Sequence, residues 1–271
     1  MALNKRKIFN WAKVLIFIYC AVGIAIYYLQ DKILFNPKKL TADYIFKFDA
    51  SFHELNIPVN KEDTINLIQF SPADDTIPKG LVIYFHGSKG NVEHYADRIN
   101  IFLKNGYEVW MPDYPGFGKS TGSFSELKLY EQAYQVKRFA DNKFKPDQIV
   151  IYGQALGCAV AANLASSTNA RLLILESAYY NAPDLFNNYL PVYPWNAMIK
   201  YKFPTGEYLE DVKMPVEIIS GYNEDYCLKY SANKLKSELK NTDKFNESSK
   251  INIENTNQAG NYEHLIKSLL K

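Results

Sequence analysis

The stretch from Gln148 to Val160, QIVIYGQALGCAV, constrains the fold more than any other part of the chain. Its first half, Ile149–Tyr152, is rich in β-branched residues and is typical of a strand, whereas its last residues are small helix formers. Between them lies a Gly-x-Ala-x-Gly turn, Gly153–Gly157, with Ala155 at its centre. Glycines allow a sharp corner between a strand and a helix. The stretch therefore predicts a strand, a strained turn and a helix in immediate succession.

Length and composition indicate a globular protein with a full hydrophobic core. The 271 residues are 47% hydrophobic and 15% aromatic, which excludes a disordered chain. The formal charge is +2 and Lys and Arg form no stripe, so nucleic-acid binding is not expected. The three cysteines and four histidines are scattered without metal-ligand spacing, and we expect no metal or other cofactor.

The N-terminal segment predicts a single membrane anchor. Residues 1–13 are basic, and Val14–Leu29 is an uncharged run of 16 residues. Extended back to Trp11, a helix would approach the ~30 Å hydrocarbon core of a bilayer, and Trp11 and Tyr27–Tyr28 would lie at its interfaces. A cleaved signal peptide is the alternative, but no small-x-small cleavage site follows the run. Basic residues flank both ends, and we expect the folded domain outside the cytoplasm.

Strand and helix patterns alternate through residues 51–271, after a connector expected at 30–50. Two strands joined by a polar turn predict an antiparallel start, and later buried runs separated by helices predict a mostly parallel sheet covered on both faces. Residues 236–250 are interpreted as a surface loop. The predicted strands are His53–Pro58, Thr64–Phe70, Leu81–Phe85, Glu108–Asp113, Gln148–Tyr152, Leu172–Glu176, Val216–Ser220 and Lys250–Glu254, and the predicted helices 93–105, 127–142, 156–167, 231–240 and 261–270.

Four further motifs follow one another along the chain. They are YFHGSKGN at 84–91, DYPGFGKS at 113–120, LESAY at 175–179 and VKMPV at 212–216. Together with the turn at 153–157, they resemble the α/β-hydrolase superfamily, in particular membrane-associated α/β-hydrolase domain proteins and related bacterial esterases. The resemblance covers about residues 65–270. It implies the α/β-hydrolase fold, in which a Gly-x-Ser-x-Gly turn forms the nucleophile elbow.

The resemblance assigns two of the catalytic positions to residues that follow strands. Ala155 occupies the nucleophile slot, and a methyl group cannot attack a carbonyl. The acid position falls on Glu224, and Asp225 follows it directly. A glutamate there could still orient a histidine. Two solvated loop carboxylates are the alternative interpretation of this pair.

The histidine position also departs from the family pattern. Depending on the alignment, Gln258 or Asn261 occupies it, and His264 follows about one helical turn later. An exposed residue on the last helix is the alternative to a catalytic role for His264. The backbone N–H groups of Ser88 and Leu156 would form the oxyanion hole. Since backbone donors need no particular side chain, the hole can persist without the nucleophile.

Two other reactive residue types have a structural interpretation. His86 precedes a glycine at a strand end, and in the related proteins this histidine supports the loop. Cys158 lies three residues beyond Ala155, where we expect it to be buried in the helix. Loss of a triad nucleophile costs about 10⁶-fold in kcat. The sequence therefore favours a pseudoenzyme that binds a ligand or partner. The alternative is an active esterase, thioesterase or lipid hydrolase with a displaced or mutated triad.

Residues 178–204, hereafter the cap, are rich in Tyr, Phe, Pro and Trp. They fall where the related proteins insert a cap between two strands. We expect this segment to overhang Ala155 and to enclose an apolar cavity for a small apolar or acyl ligand. Direct packing of the same aromatic residues on the sheet is the alternative.

Overall fold

The computed structural model describes residues 5–72, 77–220, 225–247 and 259–271, with residues 5 and 259–261 described by their backbone alone. The helices are α1 Lys5–Leu34, α2 Val92–Tyr95, α3 Asn100–Lys104, α4 Glu126–Ala140, α5 Leu156–Ser167, α6 Ala182–Tyr189, α7 Trp195–Met198, α8 Thr205–Asp211, α9 Tyr226–Lys234 and α10 Ala259–Leu269. The strands of the main sheet are β1 Phe52–Pro58, β2 Thr64–Phe70, β3 Gly80–Phe85, β4 Tyr107–Pro112, β5 Ile149–Gln154, β6 Leu172–Glu176, β7 Val216–Ser220 and β8 Lys244–Glu247.

These eight described strands form one sheet in the order β8-β7-β6-β5-β3-β4-β2-β1. β2 is antiparallel to both of its neighbours, β1 and β4, and every other pairing is parallel. The predicted antiparallel start and mostly parallel sheet are thereby confirmed. β3, β5, β6 and β7 are buried along their whole length, as expected for parallel strands covered on both faces.

Helices cover both faces of the sheet, and the alternation of side chains along each strand supplies both cores. On one face α4, α5 and α8 pack against residues that include Ile151 and Leu173. On the other face α3 and α10 pack against residues that include Tyr152 and Ile174. α5 and α10 therefore lie on opposite faces. The turn between β5 and α5 follows the C-terminal end of β5 and therefore lies at the carboxyl edge of the sheet.

The C-terminal part of the domain differs from prediction in two places. The interpretation of 236–250 as a loop is wrong at β8, which pairs in parallel with β7. β8 is polar and at most half-buried, so its sequence carries no hydrophobic alternation. The helix predicted at 231–240 is instead α9, which begins earlier because Asp225 accepts a hydrogen bond from the Leu228 N–H and caps it. The predicted strand Lys250–Glu254 lies outside the described residues.

α1 is longer than the predicted anchor at 14–29. It contains 30 residues, and among the described residues it is the one helix long and apolar enough to cross a membrane, a property that signal sequences share. Within the predicted connector at 30–50, the helix continues to Leu34, and Phe35 is buried against the rings of Phe124 and Tyr201. Asn36–Pro37 then pairs in parallel with Lys89–Gly90.

Candidate functional site

Ala155 adopts a backbone conformation that residues other than glycine rarely take. Its φ is 50° and its ψ is −110°, which costs about 1–3 kcal/mol for a residue with a side chain. A Cβ added at Gly157 would lie 2.0 Å from the carbonyl oxygen of Phe85, and one at Gly153 would lie 2.4 Å from the carbonyl oxygen of Gly157. Both glycines are therefore required for the close approach of β5, α5 and β3. The sharp strand–turn–helix geometry expected of the elbow is therefore present, with Ala155 at its centre.

A cavity of about 230 Å³ lies over Ala155. Its wall is mainly apolar and includes six residues of the cap, so the predicted cavity is confirmed. The lining residues are Leu34, Phe35, Ser88, Ala155, Leu156, Ser177, Tyr179, Ala182, Leu185, Phe186, Tyr189, Phe203 and Leu228. The aromatic residues of the cap therefore do more than pack against the sheet.

Ser88 and Leu156, the two residues predicted to form an oxyanion hole, both line this cavity. Leu156 is the first residue of α5, and the first four N–H groups of a helix have no acceptor within the helix. The helix dipole favours negative charge at the same end. The loop that carries Ser88 is fixed by the Asn36 N–H, which donates to the Ser88 carbonyl at 3.0 Å.

Asp225 lies at the start of α9 rather than in the cavity wall. Its carboxylate accepts hydrogen bonds from the Leu228 N–H, at 3.0 Å, and from the Tyr189 hydroxyl. Burial opposes ionisation of this carboxyl, but these hydrogen bonds outweigh burial and lower the pKa of Asp225 below its ordinary value. Tyr189 and Leu228 line the cavity, so Asp225 supports its rim. Glu224 lies outside the described residues.

His264 is exposed on α10, and the structure does not bring it into the cavity. α10 packs on the face of the sheet opposite α5 through Ile266, and Leu270, just after the helix, packs there too. Gln258 lies outside the described residues, and the side chain of Asn261 is not described. Among the residues that the structure describes, no histidine lines the cavity over Ala155.

His86 and Cys158 are both fully buried, as their structural interpretation predicts. The imidazole Nδ1 of His86 lies 2.8 Å from the carbonyl oxygen of Gly87, and its Nε2 lies 3.4 Å from Oδ1 of Asp113. The thiol of Cys158 donates to the carbonyl oxygens of Gly153 and Glu176 behind the elbow. Neither side chain lines the cavity.

The sequence analysis missed a buried polar cluster centred on Glu176, at the end of β6. The Glu176 carboxylate pairs with the guanidinium of Arg98 at 2.8 Å and accepts hydrogen bonds from the hydroxyls of Tyr262, at 2.8 Å, and Tyr152. Burial and then the Glu176 charge raise the pKa of Tyr262 well above its ordinary value. The Glu176 carbonyl accepts from the Ala155 N–H at 2.9 Å, so the cluster supports the elbow. A lone acidic residue ending the apolar strand LLILE was the available signal.

Comparison with known proteins identifies related sequences over much of the domain. The family described as Serine aminopeptidase, S33 matches residues 76–208. An uncharacterised protein of Acanthamoeba polyphaga mimivirus is 32% identical over 195 residues, which are 65% of this chain and 62% of that protein. Protein bem46 of Schizosaccharomyces pombe is 28% identical over 66% of this chain and 62% of its own length. The lysophosphatidylserine lipase ABHD12 of Danio rerio is 27% identical over 51% of this chain and 42% of its own. The chain thus spans less than two thirds of the length of these relatives.

Solved structures show the same architecture at low sequence identity. An α/β hydrolase from Vibrio vulnificus has a TM-score of 0.67 and 18% identity, and the match covers 80% of each chain. An esterase from Pyrococcus furiosus has a TM-score of 0.63 and 17% identity, over 87% of this chain and 98% of the esterase.

Proposed function

The chain has the α/β-hydrolase fold, and we propose that it is a membrane-anchored pseudoenzyme that binds a small apolar or acyl ligand over Ala155. The observation that carries the proposal is the wall of the cavity. This wall combines apolar side chains with the two oxyanion-hole residues, Ser88 and Leu156, and with alanine in the nucleophile slot. Within the described ranges it contains no histidine. Such a site would hold an acyl ligand without cleaving it.

Ester hydrolysis at this site would need another nucleophile and a base. Among the described residues of the wall, the serine hydroxyls belong to Ser88 and Ser177. A serine hydroxyl is a weak nucleophile unless a general base takes its proton, and no histidine of the described chain lines the cavity with them. Loss of a triad nucleophile alone costs about 10⁶-fold in kcat. Binding therefore fits this wall better than turnover does.

The ligand class follows from the two kinds of surface in the cavity. Backbone N–H groups at Ser88 and at the start of α5 suit a carbonyl or carboxylate oxygen. The remaining wall, formed by side chains such as Leu185, Phe186 and Leu228, suits a hydrocarbon chain. A fatty-acyl group presents both surfaces. One of the similar proteins is by name a lysophosphatidylserine lipase, which supports an acyl ligand for this chain.

α1 would supply the membrane anchor. Its window of highest hydropathy averages 2.0, and only 6% of that window is buried against the rest of the protein. Four Lys or Arg residues precede the apolar run and three lysines follow it closely, and the more basic side favours the cytoplasm. We therefore place the N-terminus inside and the folded domain outside the cytoplasm.

The proposal is tested with purified full-length protein in detergent. We expect no labelling by a fluorophosphonate probe, and we expect photoactivatable laurate to label peptides of α6 and α9. Leu228→Trp, which fills the cavity over Ala155, should abolish laurate labelling of α9. Tyr226→Trp is the matched control on the same helix, because Tyr226 is 78% exposed and does not line the cavity. Fluorophosphonate labelling that is lost on heating would favour the active hydrolase instead, and laurate labelling that Leu228→Trp leaves unchanged would refute binding over Ala155.

A further inference from the structure

A second cavity of about 230 Å³ lies between α1 and the cap. Both parts of the chain line it, since α1 contributes four residues and the cap six. They are Ile26, Gln30, Ile33, Leu34, Phe186, Tyr189, Leu190, Trp195, Met198 and Ile199. We call this space the outer cavity and the space over Ala155 the inner cavity.

Gln30 is the single amide in the wall of the outer cavity, and its polar atoms are engaged in hydrogen bonds. Its Nε2 donates to the carbonyl oxygens of Tyr27, at 2.7 Å, and Met198, at 3.4 Å. Its Oε1 accepts from the Lys200 N–H at 2.7 Å. Because these bonds satisfy the amide, the space that remains offers only apolar surface. Such a space suits a hydrocarbon chain and excludes a polar ligand.

The two cavities share three wall residues, Leu34, Phe186 and Tyr189. Tyr189 is 50% exposed, and it is held to the rim by its hydroxyl, which donates to Asp225. The two cavities are therefore adjacent, and these three residues form part of the wall of each. A hydrocarbon chain in the outer cavity would therefore contact the same three residues that line the inner cavity.

The outer cavity lies beside the apolar length of α1. The cap contacts α1 as far back as Tyr19, whose ring stacks on that of Tyr193. Tyr19 precedes Gln30 by about three helical turns, or roughly 16 Å. The cap also exposes Leu190 and Val192 next to this part of the helix. If α1 spans a bilayer, this end of the cap lies among the lipid chains, because the hydrocarbon core is about 30 Å thick.

We propose that the outer cavity is the entry site for a single-chain lipid that leaves the bilayer laterally, along α1, and reaches the inner cavity past Leu34, Phe186 and Tyr189. α1 would then serve as one wall of the lipid site as well as an anchor. The acyl chain would extend from the outer cavity into the inner cavity, and its carbonyl end would lie at Ser88 and Leu156. The inference rests on the proposed function for the inner cavity and adds the source of the ligand and its route.

The test uses the full-length protein in dioleoylphosphatidylcholine vesicles that contain laurate with a diazirine in its hydrocarbon chain. Irradiation and peptide mapping measure labelling of α7 for the outer cavity and of α9 for the inner cavity. Ile26→Trp fills the outer cavity. Ile24→Trp is its matched control, because Ile24 is 60% exposed on the same helix and does not line the cavity. Leu228→Trp blocks the inner cavity alone.

We expect the parent protein to be labelled at both cavities, Ile26→Trp to lose both signals, and Ile24→Trp to keep both. Leu228→Trp should lose labelling of α9 and keep labelling of α7. If Ile26→Trp keeps the α9 signal, the ligand reaches the inner cavity by another way, and the route is refuted while the proposed function stands. Absence of the α9 signal in vesicles, together with laurate labelling of α9 in detergent, refutes entry from the bilayer in the same way. Absence of α9 labelling in both systems refutes the proposed function and the inference together.

Discussion

The ring of Tyr193 in the cap stacks on the ring of Tyr19 in α1, with 4.6 Å between the centroids and 7° between the planes. The Tyr193 hydroxyl donates to the Tyr19 carbonyl at 3.0 Å, and the Tyr19 hydroxyl donates to the Val192 carbonyl at 2.8 Å. Gly23, one turn further along α1, comes so close that an added Cβ would lie 3.0 Å from the Tyr193 ring. α1 is thus attached to the domain along half its length, which a freely jointed anchor would not be.

The first prediction concerns membrane insertion of α1. The full-length protein with an N-terminal tag should stay in the membrane pellet after carbonate extraction, and the tag should still be detected. Phe17→Arg with Ile24→Arg should release the protein, because each arginine near the centre of a span costs about 2.5–3.5 kcal/mol. Both positions are more than half exposed on α1. Phe17→Leu with Ile24→Leu is the control and should remain in the pellet. Loss of the tag from the parent protein would identify a cleaved signal peptide instead.

The second prediction is that Ala155→Gly stabilises the protein. Relief of the strain at φ 50° should return about 1–3 kcal/mol, whereas the freer unfolded chain of a glycine variant costs about 0.5–1 kcal/mol. We expect the free energy of unfolding in urea to rise by about 1 kcal/mol. Ala161→Gly in α5 is the control and should lower it by about 1 kcal/mol, since Ala161 is helical. A similar loss in both variants would mean that the elbow is unstrained.

The third prediction concerns the buried pair of Glu176 and Arg98. Glu176→Gln should lower the free energy of unfolding by about 3 kcal/mol, because it leaves Arg98, whose side chain is only 31% exposed, without its countercharge. Adding Arg98→Met should restore most of that loss, since no unpaired charge then remains. Glu247→Gln is the control at an exposed ion pair with Lys236 and should change stability by less than about 0.5 kcal/mol. Equal losses in the single and double variants would contradict this account.

The elbow could be predicted from sequence because its glycines are required by local steric contacts. Gly153 and Gly157 are fixed by close approaches within a strand–turn–helix unit and to the neighbouring β3, and such units carry a recognisable pattern. The same holds for the buried parallel strands, which are continuous apolar runs. These features depend on short stretches of chain, and the structure confirms them.

Contacts between distant stretches could not be predicted in this way. Tyr19 and Tyr193 are in contact because the cap packs along α1, and the sequence around neither residue indicates this contact. β8 escaped prediction because a polar, half-exposed edge strand has no hydrophobic periodicity. The outer cavity lies between those distant stretches, so it too was absent from the sequence analysis.

The last prediction is that restoring the serine alone will not restore hydrolysis. Ala155 lines the inner cavity, so the hydroxyl of Ala155→Ser would face any bound acyl group. It would still need a base within about 2.6–3.2 Å. His264 is exposed on α10, which packs on the sheet face opposite α5. We therefore expect Ala155→Ser to hydrolyse p-nitrophenyl butyrate at pH 8 no faster than the parent protein.

Adding Asn261→His to Ala155→Ser places a histidine at one of the two positions where the family pattern has it. A gain over the single variant is expected from the pair and not from Asn261→His alone, because a base without a nucleophile has no hydroxyl to activate. The measurement compares the initial rates of the parent protein, the two single variants and the double variant. If Ala155→Ser by itself reaches an ordinary kcat of about 1 s⁻¹ or more, a base already serves the elbow. The protein would then lack only its serine oxygen, and the interpretation as a decayed triad would be wrong.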